Sequence, residues 1–209
     1  MQVNEKVKEI NQLANELASL KNGPGNKTIV QCHGVFDLLH IGHIRHLEEA
    51  KRTGDILAVT VTPDQYVNKG PHRPAFPERL RAEALAALDC VDYVAVNEWP
   101  TAIESIKLLK PNVYCKGAEY ADPSNDMTGK ISDEVKAVES GGGVVVYTDD
   151  IVFSSSNLIN RHLGVFSEEI TEFLADFSSR FSSTDVFGYL DRARSMKVMV
   201  VGEIIIDEY

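Results

Sequence analysis

Cys32-His33-Gly34-Val35-Phe36-Asp37-Leu38-Leu39-His40-Ile41-Gly42-His43 follows the β-branched run Thr28-Ile29-Val30 and leads into a helical pattern that ends near Arg52. The stretch reads as a strand, a tight glycine turn and a helix N-terminus. At such a junction, free backbone N–H groups and the positive end of the helix dipole converge into an anion site. His40 and His43, three residues apart, are expected to point from one face toward the bound anion. A nucleotide triphosphate is the anion this arrangement suggests. Attack at its α-phosphorus builds charge that preorganised imidazole donors, with an ordinary pKa near 6.5, stabilise as neutral N–H groups or as imidazolium.

Outward from this junction, short β-rich runs alternate with helical patterns. Strands are expected at 28–30, 56–61, 91–96, 113–115 and 144–147, and helices at 41–52, 77–88, 101–109, 131–139 and 155–162. Apolar strands alternating with helices of about ten residues predict βαβ units. The fold class is therefore α/β, a Rossmann-like parallel five-stranded sheet with helices on both faces. Ligands of such sheets sit beyond the carboxyl ends of the strands. Lys69, Lys116-Gly117 and Ser154-Ser155-Ser156 all follow strand ends and should gather there with the histidines.

Val3, Val7, Ile10, Leu13, Leu17 and Leu20 form an apolar stripe, so residues 3–20 read as one amphipathic helix, stopped by Asn22-Gly23-Pro24-Gly25-Asn26. Its stripe should lie against the next domain; a homo-oligomer contact is the second reading. Past Gly164, serines punctuate two helical patterns at 170–177 and 186–194, a helical linker. The expected division is 1–27 N-terminal helix and turn, 28–164 the α/β domain, 165–195 linker, and 196–209 the first strands of a truncated further domain.

The 209 residues carry a net charge of −10, with 44% hydrophobic and 25% charged residues, an ordinary globular composition. An acidic chain is a poor nucleic-acid binder, so any phosphate site must be local. No run of about 18 apolar residues and no leader-like N-terminus is seen, which predicts neither a membrane partner nor export, but a cytoplasmic protein. Cys32, Cys90 and Cys115, odd in number and widely spaced, read as free thiols. His33, His40, His43 and His46 invite a zinc reading, yet apart from Asp37 no Cys or carboxylate stands at ligand spacing, and no protein-held metal is expected.

His40-Ile41-Gly42-His43 resembles the His-x-Gly-His signature of the nucleotidyltransferase superfamily, and Gly34 to His43 resembles its cytidylyltransferase-like branch. Within that branch the chain is similar, over about residues 28 to 163, to the adenylyltransferase domain of bifunctional heptose-phosphate kinase/heptose 1-phosphate adenylyltransferases. Arg73-Pro74 ahead of a helix containing Arg81, Leu88 to Val94, and Lys110 to Tyr120 carry that likeness. The segment Val200 to Asp207 resembles the opening of a ribokinase-type sugar kinase, which implies fusion to a kinase domain in a parent chain.

The resemblance implies that NTP and a phosphorylated sugar or polyol react with release of pyrophosphate, and that Mg²⁺ arrives on the triphosphate. It implies catalytic roles for His40, His43 and Lys69. Nucleotide binding is implied for Gly34, Val35, Phe36, Asp37, Gly42, Arg81, Lys116, Gly117, Ser154, Ser155 and Ser156. The glycerol-phosphate cytidylyltransferases carry an arginine shortly before their Ser-Thr-Thr; residues 147–153 here hold none. ATP with a sugar 1-phosphate is thus favoured over CTP with glycerol 3-phosphate or another alditol phosphate, and a non-catalytic nucleotide-binding module is the third reading.

Overall fold

The computed structural model describes residues 3–70, 73–117, 131–148, 167–197, 199 and 202. The chain divides into two compact units, Met1–Leu158 and Ile159–Tyr209.

In the first unit the strands β1 (Ile29–Gly34), β2 (Ile56–Val61), β3 (Tyr93–Val96), β4 (Val113–Lys116) and β5 (Val144–Tyr147) form one parallel sheet in the order β3-β2-β1-β4-β5. The helices are α1 (Val3–Lys6), α2 (Ile10–Asn22), α3 (Ile41–Arg52), α4 (Glu78–Ala86), α5 (Ile103–Leu109) and α6 (Ile131–Ser140). The chain winds from β1 through β2 to β3 on one side and returns through β4 to β5 on the other. The switch point of this winding lies between β1 and β4, where a ligand crevice opens at the strands' carboxyl ends.

Alternation along the central strands sends side chains to two cores. Val30, Cys32, Leu57, Val59, Val61 and Cys115 pack against Leu47 and Ala50 of α3 and Ala82, Leu85 and Ala86 of α4. On the opposite face Ile29, Ala58, Tyr93 and Ala95 meet Ile10, Leu13 and Leu17 of α2. Each of those three side chains, fully buried, stabilises the unit by roughly 1.5–3 kcal/mol. The N-terminal stripe therefore covers its own sheet.

The expected single helix over 3–20 is two helices. Between them Val7 makes a parallel bridge to Val94, and Lys8 N–H donates to Val94 O at 2.9 Å. β3 is an edge strand with unpaired backbone groups, and pairing one of its residues is worth more than continuing the helix through residues 7–9. The opening strand also runs further than 28–30, through His33 to Gly34. Its turn is made by Phe36, at φ 49°, rather than by the glycine. Gly34 serves differently: a Cβ there would stand 3.0 Å from the Phe36 ring, so glycine lets that ring lie close over the strand end without a shift. All three cysteines are free, and Cys32 and Cys115 are register partners on β1 and β4.

The second unit holds α7 (Glu168–Arg180) and α8 (Ser183–Arg194), longer at their N-terminal ends than the apolar pattern predicts because serine caps extend them. Ser182 and Asp185 form a reciprocal capping box. Phe173, Phe187, Tyr189 and Leu190 are exposed. The helix expected at 155–162, and most of the strands expected after residue 196, lie outside the described residues. Among the described residues no helix is long and apolar enough to cross a membrane.

Candidate active site

α3 begins directly at the carboxyl end of β1. His40 is its N-cap, with extended backbone, and its Nδ1 accepts from Gly42 N–H at 3.2 Å. That bond puts the His40 proton on Nε2. It also engages the Gly42 amide in capping the helix. His43, one turn into α3, stacks on His40 with ring centroids 3.9 Å apart and meets the edge of Phe36 at 5.4 Å. His40 Nε2 and His43 Nδ1 are both buried without a hydrogen-bond partner. Two imidazoles in contact thus offer unused ring nitrogens at the switch point.

Burial lowers the pKa of His40. His43 is lowered to about 4, first by burial and then by the neighbouring His40, His46 and Lys69. Both shifts favour the neutral imidazoles in the resting protein. Lys69, after β2, supplies positive charge nearby; burial and then Arg73 lower its pKa, while Asp37 acts the other way.

Beneath this face lies a strut. Arg81 is 1% exposed. Its guanidinium donates to Val35 O, to Phe76 O at 3.0 Å, to Thr62 O at 2.8 Å and to Asp64 Oδ1 at 2.6 Å. Asp64 and the N-terminus of α4 lock reciprocally: Glu78 Oε2 accepts from Asp64 N–H at 2.7 Å, and Asp64 Oδ2 from Glu78 N–H at 3.1 Å. Asp37, 3% exposed, accepts from Arg73 Nε, Ala75 N–H and Phe76 N–H. One expectation is corrected here. The Arg81 side chain, expected on the nucleotide, is engaged inside the fold, and with the carboxylate of Asp37, in the turn expected to cradle phosphates, it holds Val35, Phe36 and the loop after β2 in position. Three donors on the buried carboxylate and four acceptors around the buried guanidinium use most of their bonding capacity within the fold.

On the other side of the switch point Lys116 ends β4, with Gly117 after it. Its Nζ pairs with Glu134 Oε2 of α6 at 2.8 Å and lies over the Tyr114 ring, whose hydroxyl donates to the same oxygen at 3.3 Å. His46 Nδ1 lies 2.8 Å from Thr148 Oγ1, and Thr148 Oγ1 donates to Lys116 O at 3.3 Å, which ties α3 to the ends of β4 and β5. His33 is fixed between Thr60 Oγ1 at 2.9 Å and Thr62 Oγ1 at 3.2 Å. Burial first, then Lys116, lowers His46 to about 4 and His33 to about 3. Ser154, Ser155 and Ser156 lie outside the described residues.

The structure thus brings His40, His43 and Lys69 to one strand-end face and Lys116 and Gly117 to its other flank. Glu134, Asp64, Glu78 and Thr148 were missed as partners by sequence reasoning. Each acts through a contact fourteen or more residues away that no local pattern announces.

Compared with known proteins, residues 32–186 match the family model described as Cytidylyltransferase-like. The chain is 39% identical over 145 residues to Bifunctional protein HldE of Syntrophotalea carbinolica, covering 68% of this chain and 28% of that protein. It is 38% identical over 169 residues to Bifunctional protein HldE of Geobacter metallireducens, covering 78% of this chain and 32% of the relative. The chain therefore spans about a third of these curated relatives' length. Among solved structures, the lipopolysaccharide core biosynthesis protein from Thermoplasma volcanium aligns with TM-score 0.50 and 25% identity over 60% of this chain and 99% of that one. Pantoate-beta-alanine ligase from Francisella tularensis shares the fold, with TM-score 0.52 and 17% identity over 79% of this chain and 75% of that one. The histidine junction, the parallel sheet and the match over most of the chain agree: the chain belongs to the cytidylyltransferase-like family of nucleotidyltransferases.

Proposed function

We propose that the chain transfers the nucleoside monophosphate of ATP to a sugar 1-phosphate such as heptose 1-phosphate, giving an NDP-sugar and pyrophosphate. An oxygen of the acceptor phosphate attacks the α-phosphorus, the bond from that phosphorus to the bridging oxygen breaks, and pyrophosphate leaves with the electron pair. A phosphate nucleophile is already ionised, so no general base is required, and catalysis reduces to positioning and charge stabilisation. The observation that carries the reading is the stacked, neutral pair His40 and His43, with unpartnered nitrogens at the switch point. Such donors suit charge that develops in the transition state.

Lys69 and the turn Gly34–Phe36 face the same phosphates in this reading, and Lys116 and Gly117 the nucleotide side. Ser154, Ser155 and Ser156 are proposed phosphate contacts on the ground of the family resemblance. Among the described residues no cluster of three or more His, Cys, Asp or Glu side chains could hold a metal ion. In this reading Mg²⁺ arrives on the triphosphate and, when bound, would screen the phosphate charge.

The sugar acceptor draws support from the resemblance to heptose 1-phosphate adenylyltransferases and from the similar lipopolysaccharide core biosynthesis protein, whose name refers to a saccharide. A sugar-kinase domain in a longer parent chain and a cytoplasmic location belong to the same proposal. The test is pyrophosphate release across four NTPs and a panel of sugar and polyol phosphates. ATP with heptose 1-phosphate should stand out. CTP with glycerol 3-phosphate would instead establish the cytidylyltransferase reading, and nucleotide binding without turnover on any acceptor the non-catalytic one.

A further inference from the structure

Five buried side-chain polar atoms among the described residues have no partner, and three of them are His40 Nε2, His43 Nδ1 and Arg73 Nη2. The first two were anticipated as phosphate donors; the third was not. Arg73 lies in the loop between β2 and α4, its side chain only 10% exposed. An unsatisfied buried donor costs about 1–3 kcal/mol, and more when the group is charged. Folded chains retain that cost where a ligand completes the bond.

Asp37 explains why the fork is left half-filled. One carboxylate oxygen takes Arg73 Nε at 2.5 Å, while the other is held by Ala75 N–H at 2.6 Å and Phe76 N–H at 3.3 Å. The pair is therefore monodentate, although arginine and carboxylate commonly pair through two parallel bonds. Asp37 orients the guanidinium without saturating it.

The surroundings are cationic in a chain whose net charge is −10. Lys69 links the groups by charge: it lowers the pKa of His43, and Arg73 in turn lowers that of Lys69. Arg73 and Lys69 are thus coupled to the stacked imidazoles of His43 and His40, and the carboxylate that faces both cations, Asp37, is already engaged. A multiply charged oxyanion satisfies all of these groups together, and arginine's planar fork matches phosphate geometry.

We propose that Arg73 is a phosphate ligand of this site, anchored on Asp37 through Nε and offering Nη2 to a phosphate oxygen of the reacting pair. The inference rests on the nucleotidyltransferase reading and adds a binding residue to it. Phosphate oxygens come from the triphosphate or from the acceptor's monoester, and the experiment separates the two.

Wild type, Arg73→Gln and Arg73→Lys of the full chain are titrated calorimetrically with ATP, inorganic pyrophosphate and inorganic phosphate, and the ligand-induced rise in Tm is recorded for each. KM is measured separately for ATP and for the sugar phosphate. Arg73→Gln should weaken binding at least tenfold, and Arg73→Lys should recover part of the loss. Weaker ATP and pyrophosphate binding assigns Nη2 to the triphosphate. Weaker inorganic phosphate binding with a raised acceptor KM assigns it to the acceptor. A lower Tm with an undiminished ligand-induced rise would reduce Arg73 to a loop pin and overturn the proposal, as would affinities and KM values within twofold of wild type. Should Arg73→Gln fail to fold, Arg73→Lys, which keeps a cation for Asp37, carries the same comparison. Absence of binding by wild type to all three probes would overturn the nucleotidyltransferase reading itself; binding by wild type that survives the substitutions overturns only the role of Arg73.

Discussion

The N-terminal end of α3 and the strut beneath it lie next to each other and treat their polar groups in opposite ways. In the strut, Arg81, Asp64, Glu78 and Asp37 are paired with one another, with Arg73 or with backbone groups. At the helix start, ring nitrogens of His40 and His43 are buried with nothing to bond. The first arrangement supplies rigidity and the second supplies unspent interaction free energy. A site needs both, because donors stabilise a transition state only if their position is fixed before the reaction.

The contrast can be broken from the strut side. Arg81→Ala removes a wholly buried cation and leaves Asp64 and three carbonyls without their donor. It should cost about 3–5 kcal/mol of stability and lower Tm on the order of 10 °C, read by thermal or denaturant unfolding. Activity should fall in step with the folded fraction. An Arg81→Ala protein of wild-type stability would mean that the strut is not what holds the turn.

From the helix side the signature inverts. His43→Ala should reduce kcat by about 10²–10³-fold, the cost of one preorganised donor, while Tm changes far less than in the strut variant. Turnover within threefold of wild type, measured by pyrophosphate release, would take His43 out of the chemistry.

Acid probes the same pair through protonation. The folded-state values of His43 and His46, about 4, and of His33, about 3, lie below the ordinary 6.5. The unfolded chain therefore binds more protons between these limits. The stabilisation is complete above pH 6.5 and is lost as pH falls toward 4, with a slope of about 1.4 kcal/mol per pH unit for each titrating histidine. Unfolding midpoints should be level, as far as these groups are concerned, from pH 7 to 8 and decline from 6.5 to 4. Equal stability at pH 7 and pH 4.5 would show that these imidazoles are not held neutral.

The smallest effect is expected at Lys116, where the partner is a side chain and not a ligand. An anionic nucleotide competes with Glu134 for the same ammonium, so Glu134→Gln should lower the nucleotide KM by roughly fivefold, about 1 kcal/mol, with kcat little changed. A raised KM would mean that Glu134 positions Lys116 rather than restraining it.

Much of the fold was legible because it depends on local alternation. The expected ranges 41–52, 56–61 and 144–147 coincide with α3, β2 and β5, since each combines an unambiguous period with a nearby break. Where a long-range contact competed, the local pattern lost, as at Val7, whose pairing with Val94 interrupts a continuous apolar stripe. The candidate site divides in the same way. His40 and His43 stand out because spacing places them, whereas Arg81 and Asp37 look identical on paper whether they face a ligand or a neighbouring loop.

The sequence by itself determined the parallel α/β architecture and the histidine-bearing junction, because periodicity, glycine placement and capping act over a few residues. Only the tertiary structure decided which polar side chains were consumed in holding the junction and which were left open. That choice depends on burial and on partners such as Asp37 for Arg73 and Glu134 for Lys116. Pairings across 36 and 18 residues exist only once the sheet has brought the loops together.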